Sequence, residues 1–155
     1  MTCALASDTK LETPEGPLTV KTVGNSPTPV MVRDEGINRF AMSRDVRILA
    51  AAQPVVRITL ENGRSLRLGA DQVLLGPSGS ERRAGDLKAG DPLLNAFTFP
   101  IGYTYRTDAG ETRVSDGCVI VAAVADGGTA DLYSLAVSAH TPLVLSCGLL
   151  GRAAG

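Results

Sequence analysis

The chain has 155 residues, 44% apolar and 20% charged, with a net charge of −1, a composition that fits one domain with room for a hydrophobic core. The near-neutral charge and the lack of a basic block exclude nucleic acid as a main partner, and no apolar run approaches the roughly 20 residues of a membrane span. Three scattered cysteines, Cys3, Cys118 and Cys147, are too few for a disulfide framework, so free thiols and a reducing cytoplasm are expected.

The first residues lack the long apolar core of a signal peptide. A lone histidine, His140, and the absence of a CxxC pair argue against a metal centre. Glycine and proline punctuate short runs rich in Val, Leu, Ile and Thr, and no stretch sustains a 3.6-residue period, which predicts an all-β fold with many short strands.

In chain order, Cys3 leads two apolar stretches separated by a turn at Thr13-Pro14-Glu15-Gly16. The segment from Pro27 to Arg47 mixes Pro, Gly and charge and reads as a long loop. VVRITL-ENG-RSLRLG is the clearest hairpin. A three-residue loop, Glu61-Asn62-Gly63, puts Leu66 opposite Ile58 and Leu68 opposite Val56, with Gly63 left-handed in a bulge. GPSGSE is a turn, and AGDLKAGDPLL is a polar hinge in which Asp86, Gly90 and Asp91 shape the chain. TYRTDAGETR is a further loop. Cys118 and Cys147 lie in apolar runs and read as core packing. The halves echo one another: DVRILAAAQ, VVRITL and GADQVLLGPSG against CVIVAAVAD, DLYSLAV and SAHTPLVLSCG. A duplicated, pseudo-two-fold β fold produces such an echo.

Five pieces, in order, resemble the Hint superfamily of inteins, bacterial intein-like domains and the hedgehog autoprocessing domain. CALASDTKLETPEG is similar to its opening motif, with a nucleophilic Cys and a later T-x-x-G turn. ITLENGRSLRLGADQVLL resembles the hairpin entering its T-x-x-H motif, AGDLKAGDPLL its D-L-x-x-G-D connector, LYSLAVSAHT its late histidine motif, and GLLGRA its G-[IL]-[VL]-V-H-N ending. The resemblance runs from Cys3 to Ala153. It implies a single domain over 3–153, with residues 1–2 and 154–155 as flanks cut from, or designed around, a longer precursor.

What the resemblance implies is a horseshoe of bent antiparallel strands with pseudo-two-fold symmetry. The chain ends would meet at its centre, so that Cys3, Gln72 and His140 share a pocket, and the alanines at 50–52 and 122–123 would sit at strand bends. The implied chemistry is an N-to-S acyl shift that turns the Thr2–Cys3 amide into a thioester, leading to protein splicing or N-terminal cleavage, with no metal or cofactor. The domain acts as a monomer on its own flanking polypeptide. Against the family's motif, Gly69 replaces a Thr hydroxyl and Gln72 replaces the histidine. Gln72 donates hydrogen bonds but delivers no proton at neutral pH. Asp71 could serve as the acid if buried. His140 takes the late-motif acid–base role, and Ser134 replaces a frequent Asp. Arg152 and Ala153 stand where His and Asn would be, and alanine lacks the carboxamide that C-terminal cyclisation requires. Beside its reading as core packing, Cys147 would be able to accept an acyl group or pair with Cys3 if it lined the pocket with His140. The competing readings are Cys3 as a small buried hydrophobe in a Hint-like scaffold that has lost its chemistry, and an unrelated β-barrel binding module.

Overall fold

The computed structural model describes residues 3–138 and 141–154. Its first residues, Cys3 to Ala6, are all buried, and Leu5–Ala6 form β1. An unbroken apolar run suits a strand covered on both faces. β2 (Lys10–Thr13) and β3 (Gly16–Thr19) make a hairpin, in whose turn the Thr13 hydroxyl donates to Gly16 O at 2.6 Å and accepts from Glu15 N at 3.2 Å. One helical turn, α1 (Val20–Val23), follows, N-capped by the Thr19 hydroxyl.

The stretch between Pro27 and Arg47 is a hairpin rather than the expected loop. β4 (Pro29–Asp34) pairs with the start of β5 (Ile37–Leu60), from Pro29 opposite Met42 to Asp34 opposite Ile37. Val30 and Val32 are fully buried, with the less buried Met31 between them. Glu35 (φ 50°) and Gly36 (φ 80°) supply the two left-handed residues of a tight turn. A glutamate in the first of those positions, amid charge, disguises the signal.

The next hairpin has the predicted register. β5 pairs with β6 (Ser65–Gly69), Ile58 facing Leu66 and Val56 facing Leu68. Gly63, at φ 86°, donates to Leu60 O at 2.9 Å to close the loop. β7 (Val73–Leu75), β8 (Glu81–Arg83) and β9 (Pro92–Leu94) follow, joined by 3₁₀ turns at Pro77–Gly79 and Ala84–Asp86. Asp91 organises the hinge. Its carboxylate accepts from Lys88 N and from Arg82, each at 2.9 Å, and the Lys88 N–H foremost, with Arg82, holds it below the usual carboxylate range. The segment TYRTDAGETR is also a hairpin, β10 (Thr104–Arg106) against β11 (Thr112–Val114).

β12 (Cys118–Val137), β13 (Leu143–Val144) and β14 (Leu150–Gly151) complete the described strands. Ten of them join one sheet in the order β8-β7-β14-β13-β4-β5-β6-β1-β12-β9, with β5 also paired to β12. β5 and β12 run 24 and 20 residues, far beyond the usual 5–6 or so, and what read as separate short strands are their successive segments. They stay within one body by bending. β5 turns at Asp45 and Ala52, both near φ 48–49°, which puts Ala50–Ala52 at a bend. In β12 the register skips at Ala122 and again at Gly127-Gly128. A side chain at Gly127 would lie 3.0 Å from Val55 O, so the tight crossing there requires glycine.

The pseudo-symmetry is visible in how the two chain ends are seated. Leu5 of β1 lies between Leu68 of β6 and Tyr133 of β12, and Gly151 of β14 lies between Leu74 of β7 and Leu143 of β13. Both ends are inner strands. Both pack on a core that includes Cys3, Leu11, Ile58, Leu74, Leu135 and Leu145, with Ala153 and Ala154 against it. Among the described residues no helix is long and apolar enough to cross a membrane.

Candidate functional site

Cys3 is 1% exposed. Its Sγ lies 3.9 Å from Leu135 O on β12, and the same carbonyl accepts from Ala154 N at 2.8 Å. One backbone oxygen thus touches both ends of the chain. Burial pushes the Cys3 thiol above its ordinary pKa, partly opposed by the backbone hydrogen bonds of Leu135 and Ala154. Burial likewise raises Cys147 and the half-buried Cys118.

The sign of this linkage is definite. A thiol that stays protonated longer in the folded chain contributes stability that is fully present below the unfolded thiol's value of about 8.5. That stability is lost as pH climbs from there through the raised folded value. Urea titrations should therefore give lower stability at pH 10 than at pH 7.5, and Cys3→Ala should lose less over that interval. An equal loss in both proteins would assign the alkaline sensitivity to other groups.

Gln72 closes the turn after β6, its backbone N–H donating to Gly69 O at 3.1 Å. The residue is wholly buried, and its carboxamide is fully used. Oε1 accepts from Ala4 N at 2.8 Å, while Nε2 donates to Val73 O at 2.9 Å and to Arg152 O at 3.1 Å. The amide fits one way only, because the reverse would set NH₂ against an N–H and an oxygen against two carbonyls. The other backbone polar group of Ala4, its carbonyl, accepts from Gly69 N at 2.8 Å. A side chain on Gly69 would lie 2.9 Å from both Ala4 Cβ and Ala4 O, so the first residues pass directly over this glycine.

The remaining candidates distribute as follows. Arg152 reaches the site through its backbone: its N–H donates to Val73 O at 2.9 Å and its carbonyl meets Gln72, whereas its guanidinium points to Glu81 at 3.8 Å. Ala153 packs on the core that contains Cys3. Ser134 is buried on β12 beside Leu135. Asp71 faces solvent, 56% exposed, in an ion pair with Arg83. Cys147 sits in the turn before β14, where its carbonyl accepts from Asn95 Nδ2 at 3.0 Å, and it lines a surface cleft with Asp8, Thr9 and Lys10. His140 and Thr2 lie outside the described residues. Among the described residues no cluster of three or more His, Cys, Asp or Glu is placed to hold a metal ion.

Sequence reasoning missed Ala4, Leu135, Gly151 and Ala154. Three of these act through backbone atoms, which leave no mark on residue type. Gly151 carried a faint signal, since it stands where the family ending has valine. A side chain there would lie 3.2 Å from Gln72 Nε2.

Two long bent strands paired along their length, inner strands at both chain ends and a buried cysteine where those ends meet make this the Hint-type fold of inteins. Solved structures match it over nearly their whole length. The DnaB intein from Synechocystis superposes with a TM-score of 0.72 at 12% identity, covering 97% of this chain and 99% of that one. The gp41-1 intein gives 0.64 at 17% identity, covering 96% and 97%. The DnaX mini-intein from Spirulina platensis gives 0.68 at 12%, covering 96% and 98%. At these identities the likeness is one of fold. No family model matches the sequence, and no curated protein does.

Proposed function

We propose that this chain is an intein-like self-processing domain acting on the peptide bond before Cys3. The Cys3 Sγ attacks the Thr2 carbonyl carbon, an S–C bond forms, the C–N bond breaks, and the Cys3 nitrogen leaves as an amine with the proton given up by the thiol. Water or an added thiol then cleaves the thioester and frees the N-terminal flank. The observation that carries this reading is the buried Cys3 thiol at the junction of the two chain ends, sharing Leu135 O with Ala154. Holding a nucleophile in such a place replaces a bimolecular encounter with an oriented one. The substrate is the protein's own chain, so its partners are its flanking segments, and the step needs no metal or cofactor. Position 153 is alanine, which has no carboxamide to cyclise, so the chemistry ends at N-terminal cleavage.

A second reading, a Hint-like scaffold without chemistry, is favoured by one feature. Both N–H groups of Gln72 are bound to carbonyls of the protein itself, leaving none for an oxyanion. Losing one aimed donor costs about 100- to 1000-fold in rate, and a missing general acid costs about 100- to 10,000-fold. With both absent, release much slower than in a site that keeps them is the expected outcome.

The test is intact mass spectrometry of the domain fused behind a reporter that ends in Thr2, incubated with and without hydroxylamine and dithiothreitol. Hydroxylamine-dependent release that disappears in Cys3→Ala is expected. No release over several days at pH 6 or pH 8 would select the scaffold.

A further inference from the structure

Resting on that reading, we propose that Gln72 is a positioning residue that couples the docking of the C-terminal strand to the seating of Cys3, so that the N-terminal bond is activated only when the other end of the chain is in place. Gln72 has no contact with the Cys3 thiol among its hydrogen bonds. Its partners are Ala4 N at one end of the chain, Arg152 O at the other, and Val73 O between them.

A buried polar hydrogen left without an acceptor is unfavourable. If the segment at Gly151 and Arg152 lifts away, one Nε2 hydrogen loses its carbonyl inside the core. Any swing of the carboxamide toward a new acceptor takes its oxygen off Ala4 N and releases the residue next to Cys3. The coupling is reciprocal, because freeing Ala4 equally loosens the grip on Arg152 O. Leu135 O provides a parallel link, held by Ala154 N and reached by the Cys3 thiol. Gly151 leaves the space the carboxamide occupies, and Gly69 lets Ala4 pass close enough to be held on both backbone groups. The arrangement keeps an incompletely folded precursor from exposing a thioester before its C-terminal end has docked.

Hydrogen exchange read by mass spectrometry on the full chain tests this. In Gln72→Leu, exchange should rise tenfold or more at two separated places, the amide of Ala4 and those of Arg152 and Ala154. The pairing of β4 with β5 should keep its protection. Leu93→Ala, which weakens the same core from a strand that pairs with neither β1 nor β14, should not single out those two places. Gln72→Glu supplies the reading that a purely structural role would not give. Ionised, its carboxylate still accepts from Ala4 N but opposes the carbonyls of Val73 and Arg152; protonated, it donates to one of them.

Both ends should therefore regain protection together as pH falls toward 5, after correction for intrinsic exchange. The wild type and Gln72→Leu should show no such recovery. The neighbouring charges are already partnered, Asp71 with Arg83 and Arg152 with Glu81. The wild type at each pH serves as the blank for the Cys3 thiol and His140.

Loosening at one end alone, loosening throughout the sheet, or recovery of the two ends at different pH would overturn the coupling. If Gln72→Leu does not fold, the Gln72→Glu series decides. These outcomes are independent of thioester formation: a wild type that never releases its reporter defeats the proposed function and leaves the exchange result to judge Gln72.

Discussion

Gly148→Ala is expected to lower the melting temperature by about 5–15 °C, one of the largest single effects in the molecule. Gly148 has φ 91°, a conformation that costs an L-residue roughly 1–2 kcal/mol. The new methyl would also land on the Asn95 carboxamide. That group cannot easily withdraw, because Asn95 Nδ2 donates to Cys147 O at 3.0 Å and its Oδ1 accepts from Phe97 N at 2.9 Å. Overpacking adds about 1–3 kcal/mol, and in a chain of this size each kcal/mol shifts the midpoint by about 2–4 °C. The turn at Gly148 launches β14, so the C-terminal end of the site depends on it. A thermal melt followed by circular dichroism checks the value. A shift below about 2 °C would mean that Asn95 has somewhere else to go.

The second large effect concerns the motif that departs from the family. Replacing Gly69 by threonine, alone or with Gln72→His, brings back the family's residue types at these two places, and it is expected to harm the protein. The β-carbon would meet Ala4 Cβ and Ala4 O at 2.9 Å and Leu132 Cδ2 at 3.1 Å. Two of these atoms belong to Ala4, in the buried lead into β1, and cannot rotate aside. A loss of about 1–3 kcal/mol is expected from the crowding, read as a lower urea midpoint at unchanged slope. Reporter release should fall with it, since the displaced residue is the one that follows the nucleophile. Faster release at an unchanged midpoint would instead show that β1 yields and that a hydroxyl serves the scissile carbonyl.

The register of the β5–β6 hairpin follows from alternation and from one glycine in its loop, because both act over a few residues. The β4–β5 hairpin obeys the same alternation, but its turn places a glutamate at a position with φ 50°, and only the paired strands hold it there. The long strands could not be read as single elements. Gly127-Gly128 has the composition of a turn, and it is the cross-strand pairing that continues through it and through the bend at Ala52.

The sequence by itself determined the all-β class, the apolar stretches that Cys3 leads and the residue types available to the site. Those properties are local, set by hydrophobicity, side-chain period and turn preference. The tertiary structure alone decided what Gln72 does. Its partners are backbone groups 68 residues away at Ala4 and 80 residues away at Arg152. A backbone N–H or carbonyl is the same in nearly every residue, so nothing in the letters at those positions could show that the chain brings them to one carboxamide.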